Sequence, residues 1–148
     1  MRAEQLIEEF PVVRGDSNAI EAARLVAQHR LPGLVITDAA GVPRHILPAS
    51  QVVGLLVPAY VQDDPALAGV LSELTADRVA EKLSGKSVDQ VLPKSLPAMA
   101  VANADDTIIE VAAIMAQAHS PLVAVVAEDR LIGVITASRL LEVALGNR

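Results

Sequence analysis

Gly133-Val134-Ile135-Thr136-Ala137-Ser138-Arg139-Leu140-Leu141 is the stretch whose reading decides the fold. Gly133 opens the run, and Val134 and Ile135 are branched residues that suit a pleated surface. From Ala137 the apolar positions change to helical spacing, at Leu140, Leu141, Ala144 and Leu145. A strand therefore runs straight into a helix, with Thr136 at the junction. A hydroxyl there caps unpaired helix N–H groups, and the same N–H groups can hold a phosphate or another anion.

Upstream of this junction, Leu122 to Val126 reads as a strand, Glu128-Asp129-Arg130 as a turn and Leu131 to Ile135 as the returning strand. Before them, Thr107-x-x-Glu110 is a capping box opening a helix with Ile109, Ala112, Ala113 and Ala116 on one face, which Pro121 ends. Ala100 to Ala102 is extended, and Ser87 to Leu92 is a short helix stopped by Pro93.

The same order occurs earlier in the chain. Ala3 to Glu9 reads as a short helix ended by Pro11, and Val12-Val13 as a small extended piece before the Gly15-Asp16-Ser17 turn. Asn18-x-x-Glu21 is a second capping box, opening a helix with Ile20, Ala23, Ala27 and Leu31 on one face. Pro32-Gly33 stops it, Leu34 to Thr37 is a strand, Asp38 to Gly41 a turn, and a second strand ends near Ile46-Leu47. A helix runs from Ala49 to about Leu56. Ile20 matches Ile109 and Pro32 matches Pro121 at a constant offset of 89 (109 − 20, 121 − 32). After the turn the offset is 88, pairing Leu47, Ala49 and Ser50 with Ile135, Ala137 and Ser138. The chain is an internal duplication, in which two half-domains cover each other's apolar sheet faces about a pseudo-twofold axis.

The expected fold is thus α/β (α+β): a first βαββα repeat over 1–56, a helical connector over 57–86 and a second repeat over 87–148. In the connector, Asp64 caps a helix with Pro65 at its first position and Leu67, Val70, Leu71 and Leu74 on one face. Thr75 to Ser84 continues as a helix closed by Gly85.

Bulk composition narrows the function. The 148 residues are 52% hydrophobic, which argues against disorder, and carry a net charge of −6 with no basic stripe to neutralise phosphates. One Phe, one Tyr and no Trp leave no aromatic platform for stacking bases, so no nucleic-acid partner is expected. The absence of cysteine excludes disulfides and thiolate chemistry. Neither a signal-peptide core nor an apolar run long enough to span a bilayer is present, so a cytoplasmic location without membrane insertion is expected. His29, His45 and His119 are not at paired ligand spacing, and no metal site is expected. Asp63-Asp64 and Asp105-Asp106 each precede a helix start, where capping explains them. With no nucleophile elbow and no phosphate-cradling Gly-rich loop, no catalytic residue is assigned and the chain is not read as an enzyme.

The duplicated strand–helix–strand–strand–helix unit ending in Gly-h-h-Thr-x-x-x-h-h resembles a tandem pair of cystathionine-β-synthase-type (CBS) domains, also called a Bateman module. The resemblance implies a regulatory module that binds adenosine-containing ligands between its halves. It also implies a homodimer that controls an enzyme or transporter, here a separate polypeptide. No obligatory cofactor is implied, while AMP, ADP, ATP or S-adenosylmethionine would be regulatory ligands. The family's threonine, which meets phosphate, maps to Thr136; its ribose-binding Asp maps to Arg139, which cannot accept a hydrogen bond. In the first repeat the family's Gly falls near Arg44 or His45, the Thr becomes Pro48 and the Asp becomes Gln51. The implied ligand residues are Val101, Ala102, His119, Pro121, Leu122, Thr136, Ser138 and Arg139 in the second repeat, and Val12, Val13, Ser50 and Gln51 in the first. Two expectations follow: a nucleotide sensor acting through the second repeat, or a ligand-free dimerisation module whose sites have degenerated.

Overall fold

Each repeat forms its own three-stranded sheet, in the order the duplication predicts. The computed structural model describes residues 1–57, 64, 66, 69, 81 and 83–146. In the first repeat β1 (Val12–Arg14) runs parallel to β2 (Gly33–Thr37), which pairs antiparallel with β3 (Pro43–Pro48). In the second, β4 (Val101–Asn103) is parallel to β5 (Leu122–Ala127), which is antiparallel to β6 (Arg130–Thr136). The registers coincide: Val12 faces Val35 as Val101 faces Ala124, and the irregularity at Ile36/Thr37 recurs at Val125/Val126. Helices α2 (Ala19–His29) and α3 (Ala49–Gly54) accompany the first sheet, and α5 (Ile108–Ala118) and α6 (Ala137–Leu145) the second.

The central strands β2 and β5 are buried on both faces, which explains their near-continuous apolar sequences. Along β2 the side chains alternate. Leu34 and Ile36 join Ala22, Leu47 and Val52 under their own helices, whereas Val35, with Ile46 of β3, enters the core built around β5. The two sheets are therefore sealed against each other.

Two short helices bind the repeats together by crossing over. α1 (Ala3–Leu6) buries Ala3 and Leu6 in the second repeat's core, and α4 (Val88–Val91) buries Val88 in the first. Their peptide bonds follow the same duplication. Ala3 and Glu4 N–H donate to the carbonyls of Asp106 (2.8 Å) and Ala104 (2.9 Å), as Val88 and Asp89 N–H donate to those of Ser17 and Gly15 (both 2.9 Å). In both helices a glutamine reaches back to the cap: Gln5 to the Arg2 N–H at 2.8 Å, Gln90 to the Ser87 N–H at 2.9 Å. Residues 1–6 thus pack with the second sheet although they precede the first.

Several local expectations are corrected. The first helix ends at Leu6 and not Glu9, because Ile7 is extended and the Glu8 N–H pairs with the Val134 carbonyl at 3.0 Å. The Thr107–Glu110 capping box forms in both directions, and these bonds, the Thr107 N–H first, hold the Glu110 carboxyl below its ordinary range. At Asn18 only half a box forms: its Oδ1 accepts from Ile20 and Glu21 N–H, while its Nδ2 donates to the Ser84 carbonyl at 2.8 Å. The buried helix faces are also rotated from those read in the sequence. α5 packs through Val111 and Met115 with Ile108, Ala112 and Ala118, leaving Ile109 73% exposed. α2 packs through Ala19 and Ala22, with Ala27 exposed, and α6 through Leu140, with Leu141 and Leu145 outside. These helices carry apolar residues on more than one face, and only the sheet beneath them selects which face is buried.

In the connector, Asp64 Oδ1 accepts from the Ala66 N–H at 3.3 Å. Pro65, Leu67, Val70, Leu71, Leu74 and the Thr75–Ala80 stretch lie outside the described residues. Among the described residues no helix is long and apolar enough to cross a membrane.

Candidate functional site

The β6–α6 junction forms as its sequence requires. Thr136 is the N-cap of α6, and its Oγ1 accepts from the Arg139 N–H at 3.1 Å and lies 3.3 Å from Ser138 Oγ. Thr136 is buried and faces Leu122 across the β5–β6 ladder. The Pro121 carbonyl accepts from the Ala137 N–H at 3.1 Å, as the Pro32 carbonyl does from the Ala49 N–H at 2.9 Å in the first repeat. Pro121, Leu122, Thr136, Ser138 and Arg139 are thereby gathered at one end of the second sheet. Val101 lies on the neighbouring strand, and Ala102 is buried in the core. His119 is exposed in left-handed conformation (φ 50°), and its N–H caps α5; Arg30 does the same for α2. A helix end accounts for this histidine.

The first repeat is not equivalent. Pro48 precedes α3 with no side-chain cap, and Ser50 and Gln51 are exposed on that short helix. Val13 packs against the first core, and Val12 is 43% exposed. The Thr37–Arg44 end of this sheet has its own turn chemistry around a small cavity of about 250 Å³. Asp38 accepts from Val42 (3.0 Å) and Ala40 (2.9 Å) N–H and pairs with Arg44 at 2.8 Å, bonds that hold its carboxyl below the ordinary range. These contacts fasten a turn. Among the described residues no group of three His, Asp or Glu could hold a metal ion.

Sequence reasoning missed the segment that reaches the junction from outside. Residues 7–12 cross the edge of β6 and, with Leu131 to Val134, enclose a cleft of about 740 Å³. Of the expected ligand residues only Val12 lines it, among the described residues. Ile7 sits where a Gly133 side chain would be: a Cβ there would lie 2.7 Å from Ile7 Cβ. Arg139, expected as a ligand residue, is held by this segment. Its Nε lies 3.4 Å from the Leu6 carbonyl oxygen and 3.9 Å from Glu8 Oε1, and an Nη lies 3.8 Å from Glu142 Oε1. The one sequence signal for this contact is Gly133, since a glycine inside a strand marks close approach of another backbone.

Comparison with known proteins agrees with this architecture. The CBS domain family profile matches residues 94–146. A CBS domain-containing protein of unknown function from Kribbella flavida is 55% identical, over 99% of both chains, with a TM-score of 0.86. The structure of CBSX2 in complex with AMP is 16% identical over 97% of this chain and 96% of the other, with a TM-score of 0.66. The CBS domain pair of MJ0100, in complex with 5′-methylthioadenosine and S-adenosyl-L-methionine, is 16% identical over 100% and 98%, with a TM-score of 0.66. Among curated proteins none matches. Two matched sheets, exchanged lead helices and a relative 55% identical over its whole length lead to one assignment: the chain belongs to the CBS-domain family, as a tandem pair.

Proposed function

We propose that this CBS pair is a regulatory sensor whose second repeat holds the anionic end of an adenosine-containing ligand and that it modulates a separate partner protein. The observation that carries the reading is the contrast between the two junctions. Thr136 offers a hydroxyl and Arg139 a cation, whereas Pro48 and Gln51 offer neither; Glu8, which faces Arg139, also lines the cleft of about 740 Å³. The AMP complex of CBSX2 and the S-adenosylmethionine complex of MJ0100 support the ligand class. Binding rather than catalysis is the role this donor set suits: a hydroxyl and a guanidinium hold an anion but supply no general base.

Thermal unfolding with AMP, ADP, ATP and S-adenosylmethionine tests the reading. At about a hundredfold over Kd, binding adds roughly 2.7 kcal/mol and raises Tm by on the order of 5–10 °C. Thr136→Ala should shrink that rise and itself cost about 1–2 kcal/mol as a lost cap. No rise with any of the four at millimolar concentration favours a ligand-free interaction module instead.

A homodimer is part of the same proposal. Val53 of α3 and Leu141 of α6 occupy matching positions, offset by 88 (141 − 53), and are 61% and 58% exposed. With Leu56 in the turn after α3, Ile109 of α5 and Leu145 of α6, they put large apolar groups on the outside of both repeats, a surface that favours a second copy of the chain. Light scattering should give twice the 15.5 kDa chain mass, and Leu141→Glu should shift it toward the monomer. A monomer at every concentration overturns the dimer.

A further inference from the structure

Any anion reaching Arg139 finds the guanidinium already facing a carboxylate. Glu8 lines the 740 Å³ cleft, donates its N–H to the Val134 carbonyl at 3.0 Å, and places Oε1 3.9 Å from Arg139 Nε. One residue thus walls the cleft, clasps the edge of β6 and neutralises the cation beside it.

The duplication offers an internal comparison. A strut required by the fold should recur in both halves, because the lead helices and the strand registers do. Counting from the lead helices, the position of Glu8 is taken by Pro93, at an offset of 85 (93 − 8; compare Val88 with Ala3). Counting back by 88, Arg139 becomes Gln51, Gly133 becomes His45 and Thr136 becomes Pro48. Carboxylate, cation, glycine notch and hydroxyl are present together on one side and absent together on the other. Pro93 cannot even make the strand-edge hydrogen bond, having no N–H.

The geometry points to Glu8 as a built-in competitor: its carboxylate occupies the place of the ligand's anion at Arg139 and holds segment 7–11 closed along β6. This rests on the reading of the second repeat as the anion-holding half, and it concerns how that site is regulated. An entering phosphate or carboxylate takes Arg139, Glu8 turns to the solvent it already half faces, and segment 7–11 loosens from the Val134 edge. The exchange is cheap in interaction terms. At 3.9 Å the pair is longer than a hydrogen bond, and the side chains are 28% and 43% exposed, a setting in which ion pairs contribute little. Glu142, on the same helix as Arg139, lies 3.8 Å from an Nη and is 66% exposed.

Titration calorimetry on the full chain with AMP and with inorganic phosphate tests this, comparing wild type, Glu8→Gln and the charge-matched control Glu21→Gln on α2. Glu8→Gln is expected to bind both anions about three- to fivefold tighter, as removal of one weak ion pair implies, with Glu21→Gln unchanged. Amide exchange at Glu8 should accelerate when AMP binds the wild type. Binding by Glu8→Gln where wild type shows none also supports the competitor. AMP bound by wild type but no tighter by Glu8→Gln overturns it and leaves the anion site standing, as does equal tightening by Glu21→Gln. If neither wild type nor Glu8→Gln binds AMP or phosphate at millimolar concentration, both the competitor and the site fall.

Discussion

Leu6→Ala is expected to lower the unfolding free energy by about 2–5 kcal/mol, the cost of truncating a fully buried leucine. A four-residue helix alone gives no reason to expect so large a cost. Leu6, however, is 0% exposed and packs in the core that holds Val111, Leu122, Val134 and Ile135. Its helix has only four residues and could not persist by propensity. It is ordered because Ala3 and Leu6 fill the second repeat's core while the Ala3 and Glu4 N–H groups pair with Asp106 and Ala104. Val91, at the matching place in α4, is only half-buried, so Val91→Ala should cost clearly less. Urea denaturation of both variants checks the order. A Leu6→Ala loss below about 1 kcal/mol would mean that α1 contributes no more than a surface contact.

That exchange of lead helices also marks the limit of what the sequence discloses. The duplication was legible because it is written in local chemistry: proline stops at 32 and 121, Asn18 and Thr107 as caps, and branched residues at β-spacing. The strand pairs follow from it, down to the matched register. Which repeat a four-residue helix joins is decided by contacts about a hundred residues away, as between Arg2 and Thr107, and no local pattern encodes them. The helix faces were misread for a related reason. Ile109-x-x-Ala112-Ala113 and Ile108-x-x-Val111-Ala112 both satisfy a 3.6-residue period, and only burial separates them. At the candidate site, Thr136 as a cap was read correctly from its neighbours. The contacts of Arg139 were not legible there, because its partners Leu6 and Glu8 belong to the exchanged segment.

Gly133→Ala should destabilise the protein by about 1–3 kcal/mol, through overpacking and not through backbone strain. Gly133 does not adopt a left-handed conformation, so alanine fits its backbone. On that ground alone the substitution would stabilise a strand by about 0.5–1 kcal/mol. Opposing this, the new Cβ would lie 2.7 Å from Ile7 Cβ, 2.9 Å from Cδ1 and 3.0 Å from Cγ2. A clash with a Cβ cannot be relieved by turning the side chain, because that atom is fixed by its backbone. Segment 7–11 must therefore lift from β6, straining the Glu8–Val134 hydrogen bond and drawing Glu8 from Arg139. A double-mutant cycle separates the two contributions. Ile7→Ala removes Cδ1 and Cγ2 but keeps the nearest atom, so it should rescue Gly133→Ala only in part, whereas Ile7→Gly removes the clash entirely. His45, the first-repeat counterpart of Gly133, already carries a side chain, so His45→Ala should show no coupling to Ile7. Should Gly133→Ala prove stabilising in chemical denaturation, Ile7 is not seated in the glycine notch. Destabilisation with positive coupling to Ile7 would instead place the segment against β6 in solution, where Glu8 can reach Arg139.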